Sequence, residues 1–286
     1  MSRTVEELLR CLDVENLGSD RFRAHCEWRT DDRIFGGQVL AQALRAAGHT
    51  VEERAAHAIH ALFLSRGNSK RPLEIAVERL RDGRSFSSRR ALVSQGDALL
   101  FSLQASFHLL EPGYHHQVPM PEAPEPEDLP TADEAIEAMR SRFPARSALW
   151  AGVERAIEVR HSVYPSYMGG EPTHAPNLAW MRVREKLPDD PPLHQAVLAY
   201  ASDISLNDAA YRPHSGPDEP ELHSMSSVDH AMWFHAPARA DEWILFHQES
   251  PRAGHARGYA RGSMYTQDGS LIASMGQDSL MRPQPA

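Results

Sequence analysis

One pattern occurs twice in this chain, a helix of small apolar residues followed by a run of short strands, and that repetition limits the possible folds more than any other feature. In the first half the helix is "GGQVLAQALRAAG" (Gly36–Gly48), small or apolar on nearly every face. A helix with so little charge belongs inside a core. Strand candidates follow it: "AHAIHALFLSRG", "PLEIAVERLRDG", "RSFSSRRALVSQG" and "ALLFSLQASFHLL". In the second half the matching helix is "LHQAVLAYASDIS" (193–205), with Pro191 and Pro192 at its first turn, where a missing N–H costs nothing. Its strands are "SSVDHAMWFHA", "WILFHQES", "ARGYARGSMYTQ" and "SLIASMGQDSLMR". In each half the last two strands are joined by a short turn, Gln95-Gly96-Asp97 and Gln267-Asp268-Gly269, a hairpin signal. One buried helix followed by antiparallel strands, twice over, predicts an α+β duplication with a sheet curled around a helix in each half. A parallel βαβ protein does not fit.

Between the copies, residues 111–130 ("EPGYHHQVPMPEAPEPEDLP") hold six prolines and few apolar residues. Proline removes the N–H donors that helix and sheet need, so an extended connector is expected there. A helix resumes at "TADEAIEAMRSRF", with Thr131 and Glu134 in capping-box spacing. The expected organisation is an N-terminal unit at 1–110, a proline-rich linker at 111–132 and a C-terminal unit at 133–286.

Composition narrows the function. A formal charge of −9 argues against a nucleic-acid partner, while local positive charge for a small anionic ligand is still compatible with it. No apolar run is long enough to span a bilayer. "MSRTVEELLRCLDVENLG" reads as an amphipathic helix with Thr4 and Glu7 in capping spacing, and "RPQPA" is not a Ser-Lys-Leu signal, so a cytoplasmic location is expected. Cys11 and Cys26 stand in no metal or redox spacing and are expected to be reduced. The chain has 16 histidines but no HExxH pair, and His57 and His60 are expected on opposite faces of a strand. No metal and no cofactor are therefore expected.

The motifs "RIFGGQVLAQALRAAG", "HALFLSRGNSKRPLEIAVERLRDGRSFSSRRA" and "DHAMWFHAP…EWILF…ARGYARGSMYTQDGSLIASMGQDSLMR" closely resemble those of the type II (TesB-type) acyl-CoA thioesterases, over residues 33–282. The resemblance implies a double hotdog fold, hydrolysis of acyl-CoA to fatty acid and CoA, and neither metal nor covalent acyl-enzyme. It also implies a catalytic Asp, Thr or Ser, and Gln. These fall on Asp203, which closes "AYASD", on Ser227, two before "DH", and on Gln277 in "ASMGQDS". Aligning the two halves sets Ala46 opposite Asp203, His57 near Ser227 and Ala105 near Gln277. One hydrolytic site per chain is therefore expected. Family members assemble, so a homo-oligomer is expected as well, and an antiparallel sheet edge offers a route to it.

The chemistry fits these residue types. A thioester has a weakly stabilised carbonyl and a good leaving group, so a positioned, partly deprotonated water can attack it directly. A solvated aspartate with a pKa of about 3.9 is a poor base at neutral pH, and desolvation would correct that. The negative end of the helix dipole would add to the shift at Asp203. Ser227 and Gln277 can each donate and accept, as holding a water requires. Strand alternation sets Ser227 on a face with Asp229, Ala231 and Trp233, and His230 on the other. Backbone N–H groups at Gly36, Gly37 and Gln38 are candidate oxyanion donors. Arg89 and Arg261, together with Arg84, Arg90 and Arg257, are candidates for CoA phosphates, with a solvated strand face as the competing reading. Trp233, Phe234 and Trp243 read as core.

Taken singly, Asp203 is a helix-end polar residue, Ser227 a strand-end serine and Gln277 a sheet residue. In three matched motifs they read as a site. Two rivals stand beside it. A hotdog hydratase pairs an Asp with a His five residues on, whereas Asp203 is followed by "ISLND". An acyl-CoA binding protein without turnover would share the fold. No G-x-S-x-G elbow is present for serine esterase chemistry.

Overall fold

The computed structural model describes residues 2–27, 32–141, 155–216 and 222–283. In the first half α1 (Val5–Leu12), β1 (Glu15–Gly18) and β2 (Arg21–Ala24) precede α2 (Gly36–Gly48) and the strands β3 (Ala55–Phe63), β4 (Leu73–Asp82), β5 (Phe86–Gln95) and β6 (Ala98–His108). In the second half α3 (Ala132–Met139), β7 (Ile157–His161) and β8 (Asn177–Val183) precede α4 (Pro191–Ser202) and α5 (Leu206–Tyr211). The strands β9 (Leu222–Ser227), β10 (Asp229–Phe234), β11 (Ile244–Gly254), β12 (Arg257–Thr266) and β13 (Leu271–Pro283) complete it. Both cysteines are free thiols.

The two sheets are continuous. β3 pairs antiparallel with β10, giving the order β1-β2-β4-β5-β6-β3-β10-β13-β12-β11-β8-β7, with β9 also on β13. Beneath the sheet α2 and α4 pack against each other in opposite directions. At one end Arg45 meets Asp190 at 3.4 Å, and at the other the first turn of α2 abuts the last turn of α4. Glycine makes that second contact possible. A Cβ on Gly37 would lie 2.3 Å from the Tyr200 carbonyl, and one on Gly36 would lie 2.7 Å from Asp203 Oδ2.

The capped starts of α1 and α3 follow their sequence signals. Thr4 accepts from the Glu7 N–H, and Thr131 and Glu134 form a reciprocal capping box. The second central helix is shorter than its pattern suggests. It stops at Ser202 because Asp203 caps it and Ser205 turns the chain at φ +65° before α5 begins. The part of "TADEAIEAMRSRF" beyond Ser141 lies outside the described residues.

Four strands lacked a sequence signal, and a fifth, β9, was marked only at its last two residues. β1 is exposed along its whole length, so it has no alternation, and β2 is only four residues long. β7 and β8 are mostly buried on both faces, which also removes the alternation. The cause is the proline-rich segment, which lies across the outer face of the second-half sheet. Met120, Ala123 and Leu129 pack on Trp180, Trp243, Leu245 and Tyr265 there. The Pro124 carbonyl accepts from Trp180 Nε1 at 2.8 Å, and Gln117 bonds the Gly269 carbonyl and the Leu271 N–H.

Two bulges at matching places change which side chains face inward. In β3 the pairing register shifts at His57, between Ala56 and Ala58. The extra residue puts His57 and His60 on the same outer face, not on opposite ones. His57 bonds Ser106 Oγ there at 2.8 Å and His60 stacks edge-on against Trp233. In the second half Ser227 pairs with Ser279 while Ala231 pairs with Gly276, so one residue, Val228, is extra. Ser227 and His230 therefore share the inner face, and Asp229, Ala231 and Trp233 point outward. This reverses the simple alternation expected from the sequence. Trp233 is half-exposed on the outer face rather than core, while Phe234 and Trp243 are buried.

Candidate active site

Asp203 is the C-cap of α4, and its carboxylate lies against the first turn of α2 from the other half. Gly37 N–H donates to Asp203 Oδ2 at 2.8 Å. Ser227, at the end of β9, donates to Asp203 Oδ1 over a long 3.5 Å. Gln277, on β13 in register with His230, gives one amide proton to Ser227 Oγ at 2.9 Å and the other to Asn207 Oδ1 at 2.5 Å. The structure thus brings together three positions far apart in the chain. Burial dominates the electrostatics of Asp203. It pushes the carboxyl up to about 6 against the lowering pull of donors from Gln277, Gly37 and Ser227.

Asn207 and His230 complete the network; the sequence suggested packing or hydrogen bonding near the site for His230 and did not single out Asn207. Asn207, in the first turn of α5, donates to Ser227 Oγ at 3.3 Å and accepts from the Ser279 hydroxyl. Its spacing of four from Asp203 is its only sequence trace. His230 is fully buried, with Nδ1 against Gln277 Oε1 and Nε2 2.9 Å from Ser202 Oγ. Desolvation holds its pKa down at about 4, so the ring is neutral near pH 7. The "DH" dipeptide carried this residue in plain view, but the bulge that turns it inward has no sequence signature.

Several expected contacts fall elsewhere. The Gly37 N–H already serves Asp203, and the Gln38 N–H bonds the Phe35 carbonyl, so neither is available to hold an oxyanion. The Gln38 side chain is buried between the Glu27 N–H and Gln42. Gly36 keeps a role of another kind, as the residue whose missing side chain leaves room for the Asp203 carboxylate. Arg89 is 1% exposed, and its guanidinium is spent on Thr50, Asp82 and the carbonyls of Arg81 and Ser88, which rules out a phosphate contact. Arg261 is exposed on the outer face and paired to Glu249 at 2.7 Å. Arg90 and Arg257 are paired likewise, to Glu78 and Asp278.

Arg261 also lines a cleft of about 860 Å³ with His60, Gln104, Trp233, Tyr259 and Ser274. That cleft is on the face of the sheet opposite the Asp203 network. The acid, hydroxyl and amide that suit hydrolysis are on the inner face, so the size of the outer cleft does not make it the reactive site. Among the described residues no group of three or more His, Cys, Asp or Glu side chains is placed to hold a metal ion.

The chain is similar to known proteins along nearly its whole length. Residues 151–280 match the family described as acyl-CoA thioesterase, and residues 24–108 match the acyl-CoA thioesterase N-terminal domain. Acyl-coenzyme A thioesterase 8 of Homo sapiens is 37% identical over 284 residues, covering 96% of this chain and 88% of that one. Acyl-CoA thioesterase 2 of Haemophilus influenzae is 33% identical over 283 residues, covering 99% of each. The crystal structure of the acyl-CoA thioesterase II TesB2 from Mycobacterium marinum superposes with a TM-score of 0.78 at 36% identity, covering 99% of this chain and 98% of that one.

Proposed function

This chain belongs to the acyl-CoA thioesterase family, and on that premise we propose that it hydrolyses acyl-CoA thioesters through a water held by Asp203, Ser227 and Gln277. The reaction itself follows from the family and its hotdog fold. The assignment of residues is supported above all by the convergence of two distant side chains, Ser227 and Gln277, on the buried Asp203 carboxylate, whose pKa is pushed up to about 6.

Asp203 is ionised above that pH and still basic enough to take a proton. Water oxygen attacks the thioester carbon as its proton passes to Asp203. The C–S bond then breaks, and the departing thiolate takes the proton. Ser227 suits holding the water better than attacking. Its oxygen already accepts from Gln277 and Asn207, and its proton faces Asp203. The 3.5 Å contact to Asp203 is the loosest of the three, and a water taken up there would accept from Ser227 and give its own proton to Asp203. Assembly into a homo-oligomer in the cytoplasm is part of the same proposal. Among the described residues no helix is long and apolar enough to cross a membrane.

The test is release of CoA thiol from short, medium and long acyl-CoAs, with Asp203→Asn beside the wild type. Asp203→Asn should lower kcat by about 10²–10⁴-fold while folding normally, the range of a lost general base. In the wild type kcat/KM should fall as pH drops below about 6, as Asp203 becomes protonated. A well-folded wild type that turns over no chain length would instead favour an acyl-CoA binding protein.

A further inference from the structure

We propose that His230 is a positioning residue that fixes the amide orientation of Gln277, and through it aims the Ser227 hydroxyl at Asp203. The inference rests on the site reading above and adds a member that touches none of the reacting atoms.

The hydrogen-bond count leads there. Both amide protons of Gln277 are committed, one to Ser227 Oγ and one to Asn207 Oδ1. Asn207 is held in that orientation by the Ser279 hydroxyl on its carbonyl and by its own amide on Ser227. The Gln277 carbonyl must then face His230 Nδ1, and a carbonyl can only accept. His230 therefore carries its proton on Nδ1. Its Nε2 is left bare and needs a donor, which Ser202 Oγ supplies at 2.9 Å. The Ser202 hydroxyl also donates to the Ala199 carbonyl at 2.8 Å, so its one proton is shared between that carbonyl and the ring. Donation thus runs in one direction, from Ser202 to His230, Gln277, Ser227 and Asp203.

A reversed Gln277 amide would put its oxygen against the Asn207 carbonyl oxygen and beside Ser227. The Ser227 proton would then turn toward Gln277 and away from Asp203. Without the Nδ1–H donor only Asn207 distinguishes the two orientations, and its amide can turn together with that of Gln277. Burial leaves the ring neutral across the working range, so it acts through its tautomer and not through its charge.

Three measurements test this. Nitrogen NMR of the imidazoles, with His230 identified by its absence in the variant, should show a neutral ring protonated at Nδ1 from pH 5 to 8. An Nε2–H tautomer would overturn the proposal. His230→Leu should lower kcat about tenfold, the effect of one orienting hydrogen bond, with KM unchanged. His230→Asn places an amide N–H where Nδ1–H stood and should recover most of that loss. Equal losses in both variants would assign His230 a packing role and overturn it. Asp203→Asn separates the two failures. If it collapses while His230→Leu retains full activity, only the positioning role is lost. If it retains activity, the site reading itself fails.

Discussion

The two halves of this molecule share a helix, a strand order and a bulge, yet among the described residues only the second half has a polar network beside its bulge. Superposing the bulges at His57 and Val228 sets Ala56 opposite Ser227 and Ile59 opposite His230. The strand registers then place Ala105 opposite Gln277, and the alignment of the two halves of the sequence sets Ala46 opposite Asp203. All four first-half residues are buried and apolar, with Ala46 and Ile59 at 0% exposure. The bulge is thus a property of the scaffold and not of the chemistry. What the second half adds is a set of buried polar groups that satisfy one another, which is the condition for keeping them in a core at all. The first half is not idle, because its α2 supplies the N–H that meets Asp203 and the glycines that let it approach.

Substitutions that make one half imitate the other test this comparison. The largest effect is expected from Ala46→Asp, which gives the first half its carboxylate without the partners. Added volume and an unpaired buried acid should cost about 5 kcal/mol, read as a large fall in Tm, and no second site should appear in active-site titration. A stable and active Ala46→Asp protein would mean that the first half is already equipped for chemistry.

Asp203→Asn should do the reverse to stability. The folded protein holds the Asp203 proton up to about pH 6, against an ordinary value of 3.8, so stability falls as pH rises between those values. Removing the charge should therefore stabilise the fold at pH 8 by up to about 3 kcal/mol, and by nothing near pH 3.5. Denaturant unfolding of both proteins at the two pH values measures the difference. A constant offset at both would deny that desolvation sets the Asp203 pKa.

The smallest effect belongs to Ser227. Ser227→Ala copies Ala56 and strands the donors of Gln277 and Asn207, so kcat should fall about tenfold. Ser227→Thr keeps the hydroxyl and should stay within about threefold. Equal activity in both variants would remove Ser227 from the site.

Much of the fold was legible because it rests on local signals. The small-residue pattern marked α2 at its observed bounds, Thr131 and Glu134 marked the start of α3, and the turns at Gly96 and Gly269 marked the hairpins. β7 and β8 were missed because the proline-rich segment covers the face that would otherwise be polar. Asp203, Ser227 and Gln277 were named through the family motifs, and their meeting could not be read from spacing. Arg89 illustrates the limit. Its exposed-looking place in "SSRRA" gave no hint that Thr50 and Asp82 enclose it.

The sequence by itself therefore determined the duplication, the two buried helices, the antiparallel strands and the family, because periodicity, capping and turn chemistry act over a few residues. Only the tertiary structure decided which side chains face the site. A single extra residue at Val228 inverts the strand's parity and turns His230 inward, and a chain of two-period strands does not announce where that residue will fall. The same holds for the base. Asp203 gains its raised pKa from burial between two helices that are more than a hundred residues apart in the chain, and desolvation of that kind exists only once both halves have folded together.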